Sequence, residues 1–361
     1  MKSKILIVVN PEITGVEYHR QLIPHYHLNS QYKDDFEVHQ INEIESVSDE
    51  FLSSFRLVQF SRLVSHTGKT QTTLARLKKL GIVSVLDIDD HWKLHPGHLL
   101  YHAYRQNKTS QQMLESVKYA GHITTTTSFF ASVIQSVNAN VTVLPNAIDL
   151  TQPQFEIQPK PSPKVRFGWV GGVCHLEDIN LMKPGFARLN TDQNLAGKYQ
   201  LYLMGFNQND STGIYPVFEK IFSANLTQNE DTYYRINAAN VYSYAQGYNL
   251  FDVALAPLTH NHFNNCKSEL KMIEAGFMKK AMIVSDVMPY KIIAKPGINC
   301  LAVKESAYKL SWYLNMKKLI RNPGLASDLA ERLHEDITSV YHIDLVNKTR
   351  AELYKALTDK K

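Results

Sequence analysis

NNCKSELKMIEAGFMKKAMIVSDVMPY, residues 264–290, predicts a helix followed by a strand. The apolar run AMIV is closed by the polar pair SD, which is typical of a short buried strand. Lys267 and Glu274 lie seven residues apart, a spacing of two helical turns, and are therefore predicted to face the same way on one helix. The stretch thus places a cation and a carboxylate on a helix that leads into a buried strand.

The alternation of helix and strand in this stretch continues through the whole chain. Before residue 150 the predicted strands are KILIVVN, FEVHQI, FRLVQFSR, IVSVLDIDD, HITTTT and VTVLPNAID, and after residue 164 they are VRFGWVGG, YQLYLMG, NLFDVALAPL and AMIV. Helical patterns such as QTTLARLKKLG and SQQMLESVKYAG separate them. This order predicts an α/β protein with doubly wound parallel sheets, which bind ligands at the carboxyl ends of their strands.

A proline-rich segment divides the chain into two halves of similar size. The segment LTQPQFEIQPKPSPK, residues 150–164, holds four prolines and no helical period, which is typical of a linker. We therefore predict a first domain over residues 1–152, a linker over 153–164, a second domain over 165–340 and a closing helix over 341–358. Two such domains would leave a cleft between them, and clefts of this kind are common ligand sites.

Composition and charge exclude several classes of protein. The chain has 361 residues, of which 44% are apolar, and a formal net charge of +5. The basic residues are scattered, so no nucleic-acid partner is predicted, while the small positive excess suits an anionic substrate or a peripheral contact with an acidic membrane surface. The three cysteines are widely spaced, which fits a reducing compartment. The apolar run at the N-terminus is too short for a membrane span and lacks the small-residue cleavage site of a signal peptide, so we expect a cytoplasmic protein.

A glycine pair follows the first predicted strand of the second domain, in GWVGGVCHLED. The backbone amides of Gly171 and Gly172 could approach an anion closely, and the start of the following helix favours negative charge. His175, one turn further on, could donate to a phosphate or to a sugar hydroxyl. The alternative is a tight turn beside a surface histidine. Neither GxGxxG nor GxxxxGK[ST] occurs, so the dinucleotide fingerprint and the Walker loop do not apply.

The charged helix of the opening stretch allows two interpretations. Lys267 near the helix start could bind a diphosphate as a point charge, and Glu274 could accept the hydroxyl protons of a ribose. Alternatively, these residues belong to a surface helix with salt pairs, because Glu269 and Lys271 lie between them.

The first domain contains two further groups of candidate catalytic or binding residues. Asp87, Asp89 and Asp90 follow a buried strand, where they could bind a metal, act as a general base or bind sugar hydroxyls. Alternatively, Asp87 caps a turn and the others face solvent. Near the end of the first strand, Gly15 and Arg20 could form an anion site with a bidentate arginine, and the alternative is an ordinary exposed arginine.

Taken together, GWVGGVCHLED, FDVALAPL, FNNCKSELKMIEAGFMKKAMIVSD and VLPNAID resemble the retaining, family-4-like GT-B glycosyltransferases, with bacterial polysaccharide and O-antigen enzymes the nearest in character. The resemblance covers nearly the whole chain, and KSELKMIEAG followed by SD is its most specific part. It implies the GT-B fold, in which two Rossmann-like domains face a cleft and the closing helix crosses back onto the first domain. It also implies transfer of a hexose-type sugar from a nucleotide diphosphate to a saccharide or a lipid-linked acceptor.

The resemblance also implies roles for individual residues. The second domain would bind the nucleotide sugar through Gly171, Gly172, Asn265, Lys267, Ser268 and Glu274. The first domain would bind the acceptor through Gly15, Tyr18, Arg20 and Asp89. The catalytic residues would be Asp90, Lys267 and His175. No metal and no cofactor are expected, because cationic side chains and a helix start offset the charge of the leaving diphosphate.

This sequence departs from the family pattern where the family often has two glutamates eight positions apart. The position eight before Glu274 is Cys266, so an asparagine such as Asn265 would take over the sugar contact, or the sugar is bound differently. The segment MGFNQNDSTG offers no cation where relatives often have an arginine and a lysine, which would leave Lys267 to act with His175.

A third departure concerns a catalytic-site histidine that many relatives have on the strand that here ends in DIDDHW. Asp90 or His91 would stand nearest to that place. Two other functions therefore stay open at this point: a nucleotide-sugar epimerase of the same architecture, and a non-catalytic saccharide-binding partner subunit. A metal-dependent reaction at the three aspartates is a lesser alternative.

Overall fold

The computed structural model describes residues 2–65, 67–207, 209–226 and 231–359, and the chain divides into two compact units. The first unit comprises Met1–Asp149, Cys266–Ser268 and Tyr341–Lys361, and the second comprises Leu150–Asn265 and Glu269–Val340.

The strands of the described residues are β1 (Ser3–Val8), β2 (Phe36–Ile41), β3 (Leu57–Ser61), β4 (Val83–Ile88), β5 (His122–Thr125), β6 (Val141–Val143), β7 (Val165–Val170), β8 (Tyr199–Phe206), β9 (Tyr233–Asn237), β10 (Val253–Ala256), β11 (Ala281–Ser285) and β12 (Leu301–Val303). The α-helices are α1 (Ile23–Gln31), α2 (Asp49–Leu52), α3 (Thr70–Lys79), α4 (Tyr101–Gln106), α5 (Thr109–Tyr119), α6 (Ser128–Gln135), α7 (Leu176–Asn180), α8 (Lys183–Thr191), α9 (Ile214–Phe222), α10 (His262–Asn265), α11 (Leu270–Phe277), α12 (Met288–Lys291), α13 (Tyr308–Arg321), α14 (Pro323–Thr338) and α15 (Ile343–Thr358). A π-helical segment, Glu17–Leu22, leads into α1.

The first unit is built on a parallel sheet of order β2-β1-β3-β4-β5-β6. Successive side chains of β1 point to opposite faces, and both faces are covered. Leu6 packs in a cluster with residues of β3, α3 and α6, whereas Ile5 and Ile7 pack with Ala351 and Tyr354 of α15. This double coverage explains why β1 is a continuous apolar run rather than an alternating one.

The second unit is built on a parallel sheet of order β12-β11-β10-β7-β8-β9. Its core is aromatic at the centre, where the ring centroids of Trp169 and Phe218 lie 5.5 Å apart in an edge-on contact. Gly185 of α8 allows this helix to approach α13 closely, because a Cβ at Gly185 would lie 2.7 Å from Cβ of Trp312. The predicted doubly wound parallel sheets are therefore confirmed for both units.

The segment predicted as a linker packs within the second unit. Phe155 is only 3% exposed, and the Gln154 amide donates to the Val241 carbonyl over 3.0 Å. The Gln158 backbone amide likewise donates to the Asn249 side chain over 2.9 Å. Apart from a short 3₁₀ helix over Pro153–Phe155 the segment is irregular, but it still buries apolar surface.

The helix predicted to carry both Lys267 and Glu274 is shorter than expected. It begins at Leu270, so Lys267 lies before it and belongs to the first unit, while Glu274 belongs to the second. The prediction that both residues share one helical face is wrong. Just before this helix, the Ser268 hydroxyl accepts a hydrogen bond from Asn146 of the first unit over 2.8 Å.

Candidate functional site

In the sheet of the second unit, the order in which successive strands are added reverses between β7 and β10. From β7 the sheet grows through β8 to β9 on one side and through β10 and β11 to β12 on the other. In open α/β sheets, ligands bind outside the carboxyl ends of the strands at such a point. The residues that follow β7 and β10 therefore form the first candidate site.

The glycine loop after β7 is held close to the end of β8. The Gly171 amide donates to the Met204 carbonyl over 3.3 Å. Gly205 has a φ of +100°, and a Cβ there would lie 2.3 Å from the Gly171 carbonyl oxygen, so this position requires glycine. By contrast, a Cβ on Gly172 would meet no atom of the described residues within 4 Å. The loop therefore has open space at Gly172, where a ligand could approach the backbone.

Lys271 brings a positive charge to the same strand end. Its ammonium donates to the carbonyl of Val170, the last residue of β7, and lies 5.6 Å from the ring centroid of Trp169. In the sequence, this lysine is indicated only as part of a surface salt pattern. The signal that could have found it is its spacing, because Lys271 and Glu274 lie three apart and so share one face of α11.

Glu274 is buried beneath this edge and is bound by two tyrosines. Its carboxylate accepts hydrogen bonds from the hydroxyls of Tyr244 and of Tyr248, the latter over 2.9 Å, and the residue is 5% exposed. Burial raises the pKa of Glu274, although the two tyrosines and Lys271 oppose that shift. Tyr244 is half-buried whereas Tyr248 is buried. A ligand would therefore reach the Glu274 carboxylate from the side where Tyr244 lies.

His175 forms a dyad with Asp178 at the start of α7. Nδ1 of His175 lies 2.8 Å from Oδ2 of Asp178, whose other oxygen accepts from the backbone amide and the hydroxyl of Thr259 over 2.7 and 2.9 Å. Burial alone would raise the pKa of Asp178, but His175 and Thr259 outweigh it and hold the pKa below its usual value. Asp178 thereby links the ends of β7 and β10 and makes Nδ1 of His175 the donor nitrogen.

Asn265, predicted to contact the sugar, ends the short helix α10 in the second unit. Its side-chain amide nitrogen lies 3.3 Å from Nε2 of His260, while its carbonyl oxygen is buried with no hydrogen-bond partner among the described residues. Cys266, which follows it, is fully buried in the apolar core of the first unit, and burial raises its pKa to about 12. A neutral, packed thiol does not replace the carboxylate that the family pattern has at this position.

The charged residues of the first unit meet at the carboxyl edge of its sheet. Arg62 donates to Asp89 over 2.9 Å and to Asp90 over 3.0 Å, and the ammonium of Lys267 lies 3.0 Å from Asp90. The first unit therefore brings together Asp89, Asp90 and Lys267 of the predicted site. Among the described residues, no group of three or more histidines, cysteines and carboxylates could hold a metal ion. The aspartates are instead paired with cations.

Arg20 is buried in the interior of the first unit. It is 1% exposed and forms a bidentate pair with Asp87 over 2.8 and 2.9 Å, while its third nitrogen donates to the Leu144 carbonyl over 2.8 Å. Tyr18 is also 1% exposed. Both side chains belong to the interior, so assigning them to acceptor binding is not supported by their burial. Gly15 is exposed and open, and a Cβ there would meet no described atom within 4 Å.

A cavity of about 270 Å³ lies beside Gly15 at the ends of β1 and β3. This is the point where the sheet of the first unit changes direction, so it is a second candidate site. Its polar lining includes Asn10, Glu17 and Arg62, none of which sequence analysis selected. Arg62 has a φ of +54°, a left-handed backbone conformation that is uncommon for a residue other than glycine.

No protein-family profile matches the chain, and its sequence matches no curated protein. Solved structures nevertheless share its fold. Sucrose-phosphate synthase from Thermosynechococcus elongatus has a TM-score of 0.72 at 12% identity over 100% of both chains, and a glycosyltransferase from Rickettsia africae has a TM-score of 0.68 at 12% identity, also over 100% of both chains. HepE from Anabaena has a TM-score of 0.69 at 9% identity over 99% of this chain and 100% of its own. These similarities define the fold class of the chain as GT-B, which confirms the predicted fold class.

None of the helices in the described ranges combines the length and the apolar character that crossing a membrane requires.

Proposed function

We propose that the protein is a glycosyltransferase that moves a sugar from a nucleotide-diphosphate sugar to a saccharide or lipid-linked acceptor in surface polysaccharide synthesis, with retention of configuration. The observation that carries the proposal is the position of Lys271, whose ammonium lies on the Val170 carbonyl where the Gly171–Gly172 loop begins. A cation beside open backbone at Gly172, at the point where the sheet order reverses, is suited to a diphosphate.

In this proposal the second unit binds the donor. The amide of Gly172 and the ammonium of Lys271 bind the diphosphate and stabilise the charge that develops on it as the anomeric C–O bond breaks. Glu274 accepts hydroxyl protons of the ribose, with Tyr244 and Tyr248 holding its carboxylate in place. His175, oriented by Asp178, binds a sugar hydroxyl or a phosphate oxygen.

The first unit binds the acceptor in the cavity beside Gly15. Glu17 and Asn10 offer oxygens to acceptor hydroxyls, and Arg62 offers donors. Arg62 donates hydrogen bonds to Asp89 and to Asp90. Asp90 remains the proposed catalytic carboxylate.

The structural neighbours support the donor class. HepE from Anabaena was solved with UDP and glucose and also with UDP-glucose. Uridine diphosphate sugars are therefore the first donors to test. Retention and the role in polysaccharide synthesis rest on the sequence motifs that resemble the retaining, family-4-like enzymes.

A calorimetric titration followed by a turnover assay tests the proposal. We expect UDP or another nucleoside diphosphate to bind the purified protein, and the matching nucleotide sugar to release nucleotide only when a saccharide acceptor is added. Conversion of the donor sugar without any acceptor would favour the epimerase, and saccharide binding without nucleotide release would favour a non-catalytic subunit. Failure of every nucleoside diphosphate to bind would contradict the proposal.

Lys267 remains a proposed ligand of the diphosphate, although Asp90 offsets part of its charge. We expect Lys267→Ala to lower kcat/KM by about 10- to 10²-fold, the effect of losing one charge-assisted hydrogen bond. Steady-state nucleotide release measures this, with the exposed Lys309→Ala as a control of equal charge change. An unchanged kcat/KM would remove Lys267 from the site.

Glu274→Gln tests the proposed ribose contact. The amide keeps the shape of the side chain but cannot accept two tyrosine hydroxyls and a ribose hydroxyl as a carboxylate can. We expect the Kd of UDP to rise by about 10- to 10²-fold, measured by calorimetry. Tyr244→Phe, which leaves the carboxylate in place, should have the smaller effect. Equal UDP affinity in wild type and Glu274→Gln would exclude the contact.

A further inference from the structure

A second pocket of the second unit lies at the opposite edge of its sheet. Its volume is about 270 Å³, and it is lined where β7, β10 and β11 begin, by residues that include Val165, Asp252 and Lys280. The strands of this sheet are parallel, so the amino ends of the strands, where this pocket lies, are at the edge away from the candidate donor site.

Lys280 is the unusual residue of this pocket. It is 9% exposed, and none of the described residues forms a hydrogen bond or an ion pair with its ammonium. Burial lowers the pKa of Lys280, and the nearby Asp252 opposes that shift. A buried, unpartnered ammonium costs free energy unless a ligand compensates it.

The rest of the lining favours an anion. Lys279 is paired with Glu331 over 3.2 Å, but both side chains are about half exposed, so this contact contributes little and can be exchanged. The carboxylate of Asp252 would repel an anion, yet it is bound bidentately by Arg166 over 2.6 and 3.0 Å. The lining thus presents two ammonium groups, and its carboxylate is already neutralised.

Uncharged donors complete the site. The hydroxyls of Ser162 and Ser327 line the pocket, and so does Pro323, the first residue of the 16-residue helix α14. The start of a helix carries a partial positive charge that favours anions. A phosphate group has more acceptor oxygens than a carboxylate, so it can accept from more of these ammonium and hydroxyl donors.

We propose that this pocket, formed around Lys280 where β7, β10 and β11 begin, binds a phosphate ester, as a free metabolite or as a lipid headgroup, at a site separate from the donor site.

The test uses inorganic phosphate as the probe and thermal unfolding of the full chain as the readout. At constant ionic strength set with chloride, we expect phosphate to raise the melting temperature of the wild type with increasing concentration, because a ligand of the native state stabilises it. Lys280→Met keeps the apolar stem and removes the ammonium. It should lose the phosphate effect, and its melting temperature without phosphate should be equal to or above that of the wild type, since a costly buried charge has been removed.

Two controls keep the test specific. Lys220→Met, at an exposed lysine of the same unit, and Lys271→Met, at the candidate donor site, should both retain the phosphate effect. Ser327→Glu, at an exposed position, supplies a carboxylate to the pocket and should also abolish the effect. It tests the proposal even if Lys280→Met fails to fold.

Two sources of the phosphate are then distinguished. Glycerol 3-phosphate represents a soluble ester, and co-sedimentation with vesicles of phosphatidylglycerol and phosphatidylcholine represents a headgroup, with phosphatidylcholine vesicles as the blank. Either form of binding, if lost in Lys280→Met, supports the site and identifies its ligand. The proposal is wrong if no probe binds, if Lys280→Met responds like the wild type, or if Lys271→Met alone loses the response.

Discussion

Replacing Lys271 with methionine is expected to lower kcat/KM for sugar transfer by about 10² to 10³ while the protein stays folded. The lysine ammonium is fixed on the Val170 carbonyl and against the Trp169 ring, so it is already placed at the strand end before a ligand arrives. A preorganised charge of this kind stabilises a developing negative charge without further reorganisation. Methionine retains the packing of the stem and removes only the charge and its donors.

The measurement is nucleotide release under kcat/KM conditions, combined with UDP binding by calorimetry. Lys309→Met, which removes an exposed lysine of the same unit, should leave both quantities unchanged. Lys271→Arg keeps a positive charge and should recover part of the loss. Activity near the wild-type level in Lys271→Met would show that the diphosphate is bound by another cation. If Lys267→Ala then abolished transfer, that cation would be Lys267.

The contrast between these two lysines shows what the sequence alone could predict. Alternating apolar runs and helical patterns are local signals, and they correctly predicted parallel α/β sheets in both halves of the chain. The segment just before α11 is bound by a distant partner, because the Ser268 hydroxyl accepts a hydrogen bond from Asn146, which lies 122 residues earlier. No local pattern reveals such a contact, so Lys267 was assigned to a helix that begins three residues later, at Leu270.

Short and half-exposed strands were missed for a related reason. β9 (Tyr233–Asn237) is an edge strand without a buried apolar run, and β12 (Leu301–Val303) has only three residues. Each is stabilised by pairing with a neighbouring strand rather than by its own composition. Local patterns thus predicted every strand of the first sheet, including its edges β2 and β6, but missed these two edges of the second sheet.

The cluster of Asp87, Asp89 and Asp90 shows which contacts of charged residues cannot be predicted from sequence. A metal is one prediction from the sequence for these side chains, because three carboxylates together are costly without compensation. The structure supplies the compensation from cations far along the chain: Arg20 for Asp87, and Arg62 for Asp89. A sequence shows that charges must be compensated but not which partner compensates them.

Arg20 and Asp87 form a buried ion pair in the first unit. Both side chains are at most 2% exposed, and Asp87 also accepts from the Thr124 hydroxyl over 2.7 Å. We expect Arg20→Met to lower the free energy of unfolding by about 3 to 5 kcal/mol, because the carboxylate of Asp87 is left buried without its cation. Urea denaturation measures this loss, and the exposed Arg56→Met should change stability by no more than about 0.5 kcal/mol.

The double variant Arg20→Met with Asp87→Leu separates a buried ion pair from a ligand-binding arginine. If the main role of each charge is to pair with the other, removing both should lower the free energy of unfolding by less than the sum of the two single changes. The reason is that no unpaired buried charge remains. The folded double variant should then retain its affinity for a saccharide acceptor, because neither side chain reaches the cavity beside Gly15. Loss of acceptor binding in a stably folded double variant would instead support the acceptor-binding role of Arg20 that the resemblance implies. Additive losses of stability would show that the two charges do not act mainly as a pair.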